Sequence, residues 1–169
     1  MSERRSLFLD IETSPLQVFV WSLNDKSNAY ISHKSIIKDR GIICICWKWA
    51  GNKKVESLTW SKGQSDKAML KKFVPVLSEA TEIVAHNGDR FDLPWIRGRC
   101  LVHGIPMAPT YPTLDTLKKA RQKFRLPSNR LDYLADVLTG EGKLPSGFGL
   151  WRNIVLHKDE PSMKKMVKY

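Results

Sequence analysis

Leu7-Phe8-Leu9-Asp10-Ile11-Glu12-Thr13 is the stretch from which the rest of the chain is read. It is apolar and partly β-branched, and Ser14-Pro15 stops it, so it predicts a β-strand. Side chains alternate along a strand, which sends Leu7, Leu9 and Ile11 to one face and Phe8, Asp10 and Glu12 to the other. Two carboxylates therefore share a face at the C-terminal end of a strand that otherwise looks like core. Half-buried side by side, they repel and resist ionisation. A divalent cation between them removes the conflict, and their oxygens are hard ligands suited to Mg²⁺ or Mn²⁺. The competing reading is a strand end whose acids simply reach water.

Beyond that strand, Ser14 to Arg40 is an irregular segment long enough to carry a short strand of its own, around Val18-Phe19-Val20-Trp21. Gly41 to Trp49 predicts a strong strand, Ala50-Gly51-Asn52-Lys53 a hairpin turn, and Lys54 to Trp60 the returning strand. Trp47 and Trp49 read as sheet-face packing. The period then changes. Met69, Leu70, Phe73, Val76 and Leu77 recur at helical spacing after Ser65, a plausible N-cap, with Pro75 expected to kink or break the helix. Glu82 to His86 reads as a short buried strand, and Asp92 to His103 as a helix closed by Gly104. Leu114 to Phe124, Leu131 to Leu138 and Ser162 to Tyr169 read as further helices, and Gly140 to Gly149 as a loop. Three antiparallel strands, then a helix, a strand and mostly helices predict an α/β class: a mixed sheet flanked by helices.

A length of 169 residues fits a single domain, 1–169, with a sizeable core, and 42% hydrophobic and 27% charged residues are ordinary for a soluble fold. No apolar run approaches the roughly 20 residues of a membrane span, and no apolar stretch follows the charged start as in a secretory signal. Cys44, Cys46 and Cys100 have neither zinc-site spacing nor a disulfide framework, which points to a reducing, intracellular (cytoplasmic) setting. The formal net charge of +11 favours a polyanionic partner such as nucleic acid, the alternative being a merely soluble basic protein; no membrane partner is expected.

Two further stretches carry chemistry. Ile83-Val84-Ala85-His86-Asn87-Gly88-Asp89-Arg90-Phe91-Asp92 ends a buried strand, turns at a glycine and opens a helix with Asp92. Ligands of α/β sheets gather at such strand ends, and the helix dipole favours an ionised carboxylate there. An ordinary N-cap is the alternative for Asp92. Met163 to Tyr169 places a tyrosine late on a helix, where it either orients a water or packs as an aromatic.

Asp10-x-Glu12, Asn87-x3-Phe91-Asp92 and a late helical tyrosine resemble the three motifs of the DEDD superfamily of 3′–5′ exonucleases, of the DEDDy type, which have the ribonuclease-H-like fold. With Trp47-Lys48-Trp49, the chain is similar over nearly its whole length to stand-alone phage and bacterial exonucleases related to the proofreading domain of family B DNA polymerases. The resemblance implies that Asp10, Glu12 and Asp92 bind two divalent ions, Mg²⁺ or Mn²⁺. In such sites a pair roughly 3.5–4 Å apart clamps the attacking and leaving oxygens of a phosphodiester. It further implies that Asn87 and Phe91 line the nucleotide pocket, that the Thr13 backbone lies near the terminal 3′-hydroxyl, and that Tyr169 is catalytic. The implied partner is the 3′ end of single-stranded DNA, with RNA as the alternative and replication or repair proteins as further candidates.

The third motif departs from the family's Tyr-x3-Asp: Tyr169 is present, but no Asp stands four residues on. His157 does not replace it, since Ser162 stands five residues later, and Tyr111-x3-Asp115 has the spacing in the wrong place, with Asp115 expected at a helix start. The expectation is an exonuclease domain cut at its third motif and impaired in this form; Asp159 is the first candidate to substitute. A catalytically inactive domain that binds nucleic acid or a protein is the rival.

Overall fold

The computed structural model describes residues 5–20, 31–140 and 147–169. The strand carrying Asp10 and Glu12, β1 (Ser6–Thr13), is followed by β2 (Gln17–Val18), β3 (Ile36–Lys38), β4 (Ile42–Trp49) and β5 (Glu56–Thr59). Then come α1 (Lys67–Ser78), β6 (Glu82–Ala85), α2 (Asp92–His103), β7 (Thr113–Asp115), α3 (Thr116–Lys123), α4 (Leu131–Thr139), α5 (Phe148–His157) and α6 (Glu160–Lys168). Five strands form one sheet in the order β5-β4-β1-β6-β7. The first three pair antiparallel, and β6 and β7 join parallel. This is the expected mixed sheet, and β1 is its centre.

Alternation along β1 works as the residue pattern demands. Leu7, Leu9 and Ile11 are buried against α1 and α2 together with Phe73, Leu77, Ile83 and Ile96. Trp47 joins that core, its ring 5.2 Å from Phe73. On the opposite face Phe8 is 46% exposed, Asp10 is exposed and Glu12 half-buried. A second core lies on that face but covers only the β4 and β5 side, where Ile43, Cys44 and Trp60 meet Ile154 and Val155 of α5 and Met166 of α6. The helix pair thus stops beside β1 and leaves its acidic positions at the boundary between covered and open sheet.

A bulge makes the two cores compatible. Glu12 pairs with Cys44 but Thr13 pairs with Ile42, so Ile43 is an extra residue in β4. Ile42 and Ile45, three apart, can then both face the α1–α2 core while Ile43 and Cys44 face α5 and α6. Such a bulge re-aims side chains next to it, here beside Glu12.

Several expectations are corrected. The N-cap of α1 is Asp66 rather than Ser65, and the helix runs through Pro75, which is exposed. Leu114 and Asp115 belong to β7, because pairing with β6 outweighs their helical context. Helix α5 stands where the glycine-rich loop was expected to end; residues 141–146 of that loop lie outside the described residues. Helix α6 begins at Glu160, two residues early, because Asp159 caps it by accepting from the Ser162 N–H at 2.8 Å. The segment before β4 does carry a strand, β2, and it pairs with β3 in a separate two-stranded sheet; Trp21 lies outside the described residues. Among the described residues no helix is long and apolar enough to cross a membrane.

Candidate active site

The site forms where the C-terminal end of β1 meets the start of α2. The Ile11 N–H donates to Asp92 Oδ1 at 3.0 Å, tying the helix start to the strand between its two acids. Asp92 is 2% exposed. Burial pushes its pKa up first, and the negative charge of Asp10, with that of Glu12, adds to it; the Ile11 N–H pulls back only in part, and the value stands at about 7. Asp92 is therefore not the N-cap that its sequence position also allowed. Phe91 holds that position without a side-chain bond, and Asp92 lies one residue inside the helix.

The turn that delivers Asp92 is tightly made. Asn87 takes a left-handed backbone, φ 67°, a conformation asparagine tolerates better than most residues. Its carbonyl accepts from the Arg90 and Phe91 N–H groups at 3.1 and 2.9 Å. A Cβ on Gly88 would stand 2.5 Å from the Ala85 Cβ, so only glycine lets the turn fold back onto β6. Asp115 braces the whole turn. Its buried carboxylate accepts from the Asn87 N–H at 3.0 Å and the Asp89 N–H at 3.4 Å while capping α3 through the Leu117 N–H. Spacing alone suggested the cap; the brace depends on β7 lying beside β6.

Tyr169 comes to the same end of β1. Cys46, the register partner of Asp10, donates its thiol to the Val167 carbonyl at 3.7 Å, so the end of α6 stands over the strand next to Asp10. Trp151 Nε1 donates to the Thr13 carbonyl at 3.1 Å, and its ring meets Tyr169 edge-on at 6.2 Å. Trp151 escaped the sequence reading because α5 itself did. Phe91 is 37% exposed at the mouth, tilted against Trp95 at 6.2 Å, and Asn87 is half-buried behind it. Cys44 opposite Glu12 is held as a neutral thiol: its hydrogen bond with Cys46, then burial, then the charges of Glu12 and Asp10 all raise its pKa. Asp159 does not reach this end. It caps the start of α6, a helix about 13 Å long at 1.5 Å per residue, and Tyr169 closes the other end.

The profile of one protein family, described as a predicted 3′–5′ exonuclease related to the exonuclease domain of PolB, matches residues 31–143, about two-thirds of the chain. The chain belongs to that exonuclease family. The matched stretch contains Asn87, Phe91 and Asp92; Asp10, Glu12 and Tyr169 flank it. Among solved structures 211 chains match. One is the family B DNA polymerase from the hyperthermophilic archaeon Pyrobaculum calidifontis, with a TM-score of 0.64 and 17% identity, covering 98% of this chain and 23% of the polymerase. That likeness shows a shared, ribonuclease-H-like fold, and this exonuclease-family chain spans less than a quarter of the polymerase's length. No curated protein matches the chain.

Asp10, Glu12 and Asp92 fit divalent metal in kind rather than as a ready-made cage. Among the described residues no three His, Cys, Asp or Glu side chains are gathered so as to hold one ion. What the acids supply is an all-oxygen donor set around a carboxyl that burial first, and then the charges of Asp10 and Glu12, keep from ionising readily.

Proposed function

We propose that this chain is a metal-dependent 3′–5′ exonuclease that removes nucleotides from the 3′ ends of single-stranded DNA. The observation that carries the reading is Asp92: a carboxylate 2% exposed, raised to about 7, and faced by the charges of Asp10 and Glu12. A divalent cation relieves the repulsion among such acids, and their oxygens are hard ligands that suit it.

In this reading Asp10, Glu12 and Asp92 hold Mg²⁺ or Mn²⁺, two ions in a complete site. Such ions supply Lewis-acid activation of the attacking water and neutralise charge on the departing 3′ oxygen. Tyr169 orients that water through its hydroxyl. Phe91 and Asn87 line the pocket of the terminal nucleotide. The Thr13 carbonyl receives the 3′-hydroxyl: a carbonyl oxygen accepts two hydrogen bonds, and Trp151 uses one while fixing its direction. The +11 charge holds phosphates without reading sequence, so affinity for a single strand falls steeply with salt.

The test is shortening of a 5′-labelled single strand, in DNA and in RNA, with Mg²⁺ or Mn²⁺. The expected result is Asp10-dependent removal of nucleotides from DNA, faster still when a helical extension places Asp four residues past Tyr169. Preferential cleavage of RNA would move the substrate to the alternative class. Tight binding with no cleavage by either form would favour an inactive nucleic-acid-binding domain instead.

A further inference from the structure

Another cavity lies at the opposite end of α6 from Tyr169. It opens where the turn after β5 meets the joint of α5 and α6, and it holds about 420 Å³. Trp60, Ile154 and Met163 give it an apolar lining. Lys62, Lys158 and Lys164, all exposed, stand around that lining. Lys38 reaches over the Trp60 ring, its ammonium 5.7 Å from the ring centre.

Cations outnumber acids here. Asp159 also lines the cavity, but its carboxylate is engaged by the Ser162 N–H at 2.8 Å, which leaves Glu160 to face the lysines. Burial first, and then the charge of Lys158, lowers the pKa of Lys38. Two of these cations therefore work against each other, as the acids around Asp92 do with the opposite sign.

The backbone marks the same place independently. Among the described residues three that are not glycine take a left-handed backbone: Asn87, in the turn that delivers Asp92, and Gln64 and Lys158, at φ 59° and 52°. The last two both line this cavity. Gln64 Nε2 donates to the Val155 and Ile154 carbonyls at 2.8 and 3.2 Å, and its Oε1 accepts from Lys38. Lys158 closes α5, a position that glycine fills with less strain. Strain of this kind persists only where its surroundings impose it, and it gathers at ligand sites. What lysine supplies at 158 that glycine would not is a cation.

We propose that this cavity binds a nucleoside monophosphate, its base against the apolar lining and its phosphate among Lys62, Lys158 and Lys164. The volume is that of a small-molecule site, and a flat apolar body with a dianionic group matches its two kinds of wall. The proposal stands on the cavity alone and does not depend on the exonuclease reading, although a nucleoside monophosphate is what that reaction releases.

The test is isothermal titration calorimetry of thymidine monophosphate, thymidine and inorganic phosphate with the purified chain in EDTA. The monophosphate is expected to bind more tightly than either of its parts. Lys158→Gly should weaken it roughly tenfold, the worth of one charge-assisted hydrogen bond. The melting temperature should hold or rise in that variant, because the left-handed backbone suits glycine, which separates a lost ligand contact from misfolding. Lys164→Glu should weaken binding at least as much. Wild-type affinity in both variants would overturn the proposal, as would phosphate alone binding as tightly as the nucleotide, or no binding of the nucleotide at all. Loss of binding in Phe91→Ala with Lys158→Gly unaffected would place the nucleotide in the candidate active site and overturn it too. Cleavage of a labelled strand is a separate readout, so the exonuclease reading and this one can fail independently.

Discussion

Two buried aspartates in this chain meet opposite surroundings. Asp66, 1% exposed at the start of α1, is gripped by Arg99 through Nε at 2.8 Å and Nη2 at 3.0 Å, by His103 Nε2 at 2.5 Å and by the Ile42 N–H at 2.9 Å. Burial alone would raise its pKa, but the bonds from Arg99, Ile42 and His103 outweigh that and hold it below the ordinary value. Asp92, 2% exposed, is likewise penalised by burial, but the charges facing it are those of Asp10 and Glu12, and its pKa rises to about 7. The first acid is satisfied from within and reads as architecture: it joins α1, α2 and β4. The second is satisfied only in part and reads as a site. Burial of an acid therefore says little about function until the sign of its neighbours is known.

The largest effect should come from breaking the satisfied acid. Arg99→Leu leaves Asp66 buried without its cation and should cost about 3–5 kcal/mol in a urea titration. The lowered pKa of Asp66 gives its contribution a sign. That contribution is present above the unfolded value of 3.8 and is lost as pH falls through the lower folded value, so Arg99→Leu should matter less in strong acid. A loss under about 1 kcal/mol at neutral pH, no more than an exposed ion pair is worth, would mean that Asp66 does not tie the three elements together.

Asp92 should behave in the opposite way. Its folded pKa, about 7, lies above the ordinary 3.8, so ionising it works against the fold as pH rises between those values. Without divalent metal, Asp92→Asn should stabilise the chain at pH above 7 by up to about 4 kcal/mol, since one pKa unit is about 1.4 kcal/mol. The gain should vanish near the ordinary 3.8, because asparagine can still accept from the Ile11 N–H. Paired melting curves at the two pH values decide it; equal stability of both proteins throughout would show that Asp92 is not under strain.

A smaller effect sharpens the contrast by supplying the missing cation. Mg²⁺ or Mn²⁺ at about a hundred times its dissociation constant should stabilise the wild type by about 2.7 kcal/mol. The gain should shrink as pH falls through about 7, disappear in Asp92→Asn, and reverse with EDTA. A metal-induced rise in melting temperature that persists in Asp92→Asn would place the ion elsewhere.

The mildest test concerns a third acid. Asp115 is 5% exposed and receives N–H groups from the 87–89 turn and from α3. Asp115→Ala should cost about 0.5–2 kcal/mol as a lost cap. It should also reduce cleavage more than Asp115→Asn does, since an amide oxygen can keep the Asn87 N–H in place. Equal activity of the two variants would leave Asp115 as a cap and nothing more.

The chain's pattern by itself settled which residues could share a face. Alternation along Leu7 to Thr13 is a property of the strand backbone, so Asp10 and Glu12 were committed to the side opposite the core before any partner was known. The helix from Asp92 to His103 was equally legible, because Pro94 in its first turn and Gly104 at its C-cap act through local geometry. Only the tertiary structure decided what those faces met. Asp92 lies inside its helix rather than capping it because the Ile11 N–H, 81 residues away, claims its carboxylate. Asp115 braces the 87–89 turn because β7 pairs beside β6, and Trp151 reaches Thr13 across 138 residues because α5 folds over β4. The charge on each acid follows from such contacts, since pKa depends on neighbours and burial rather than on spacing in the chain. Local geometry is written residue by residue; the electrostatics of a site belongs to the assembled fold.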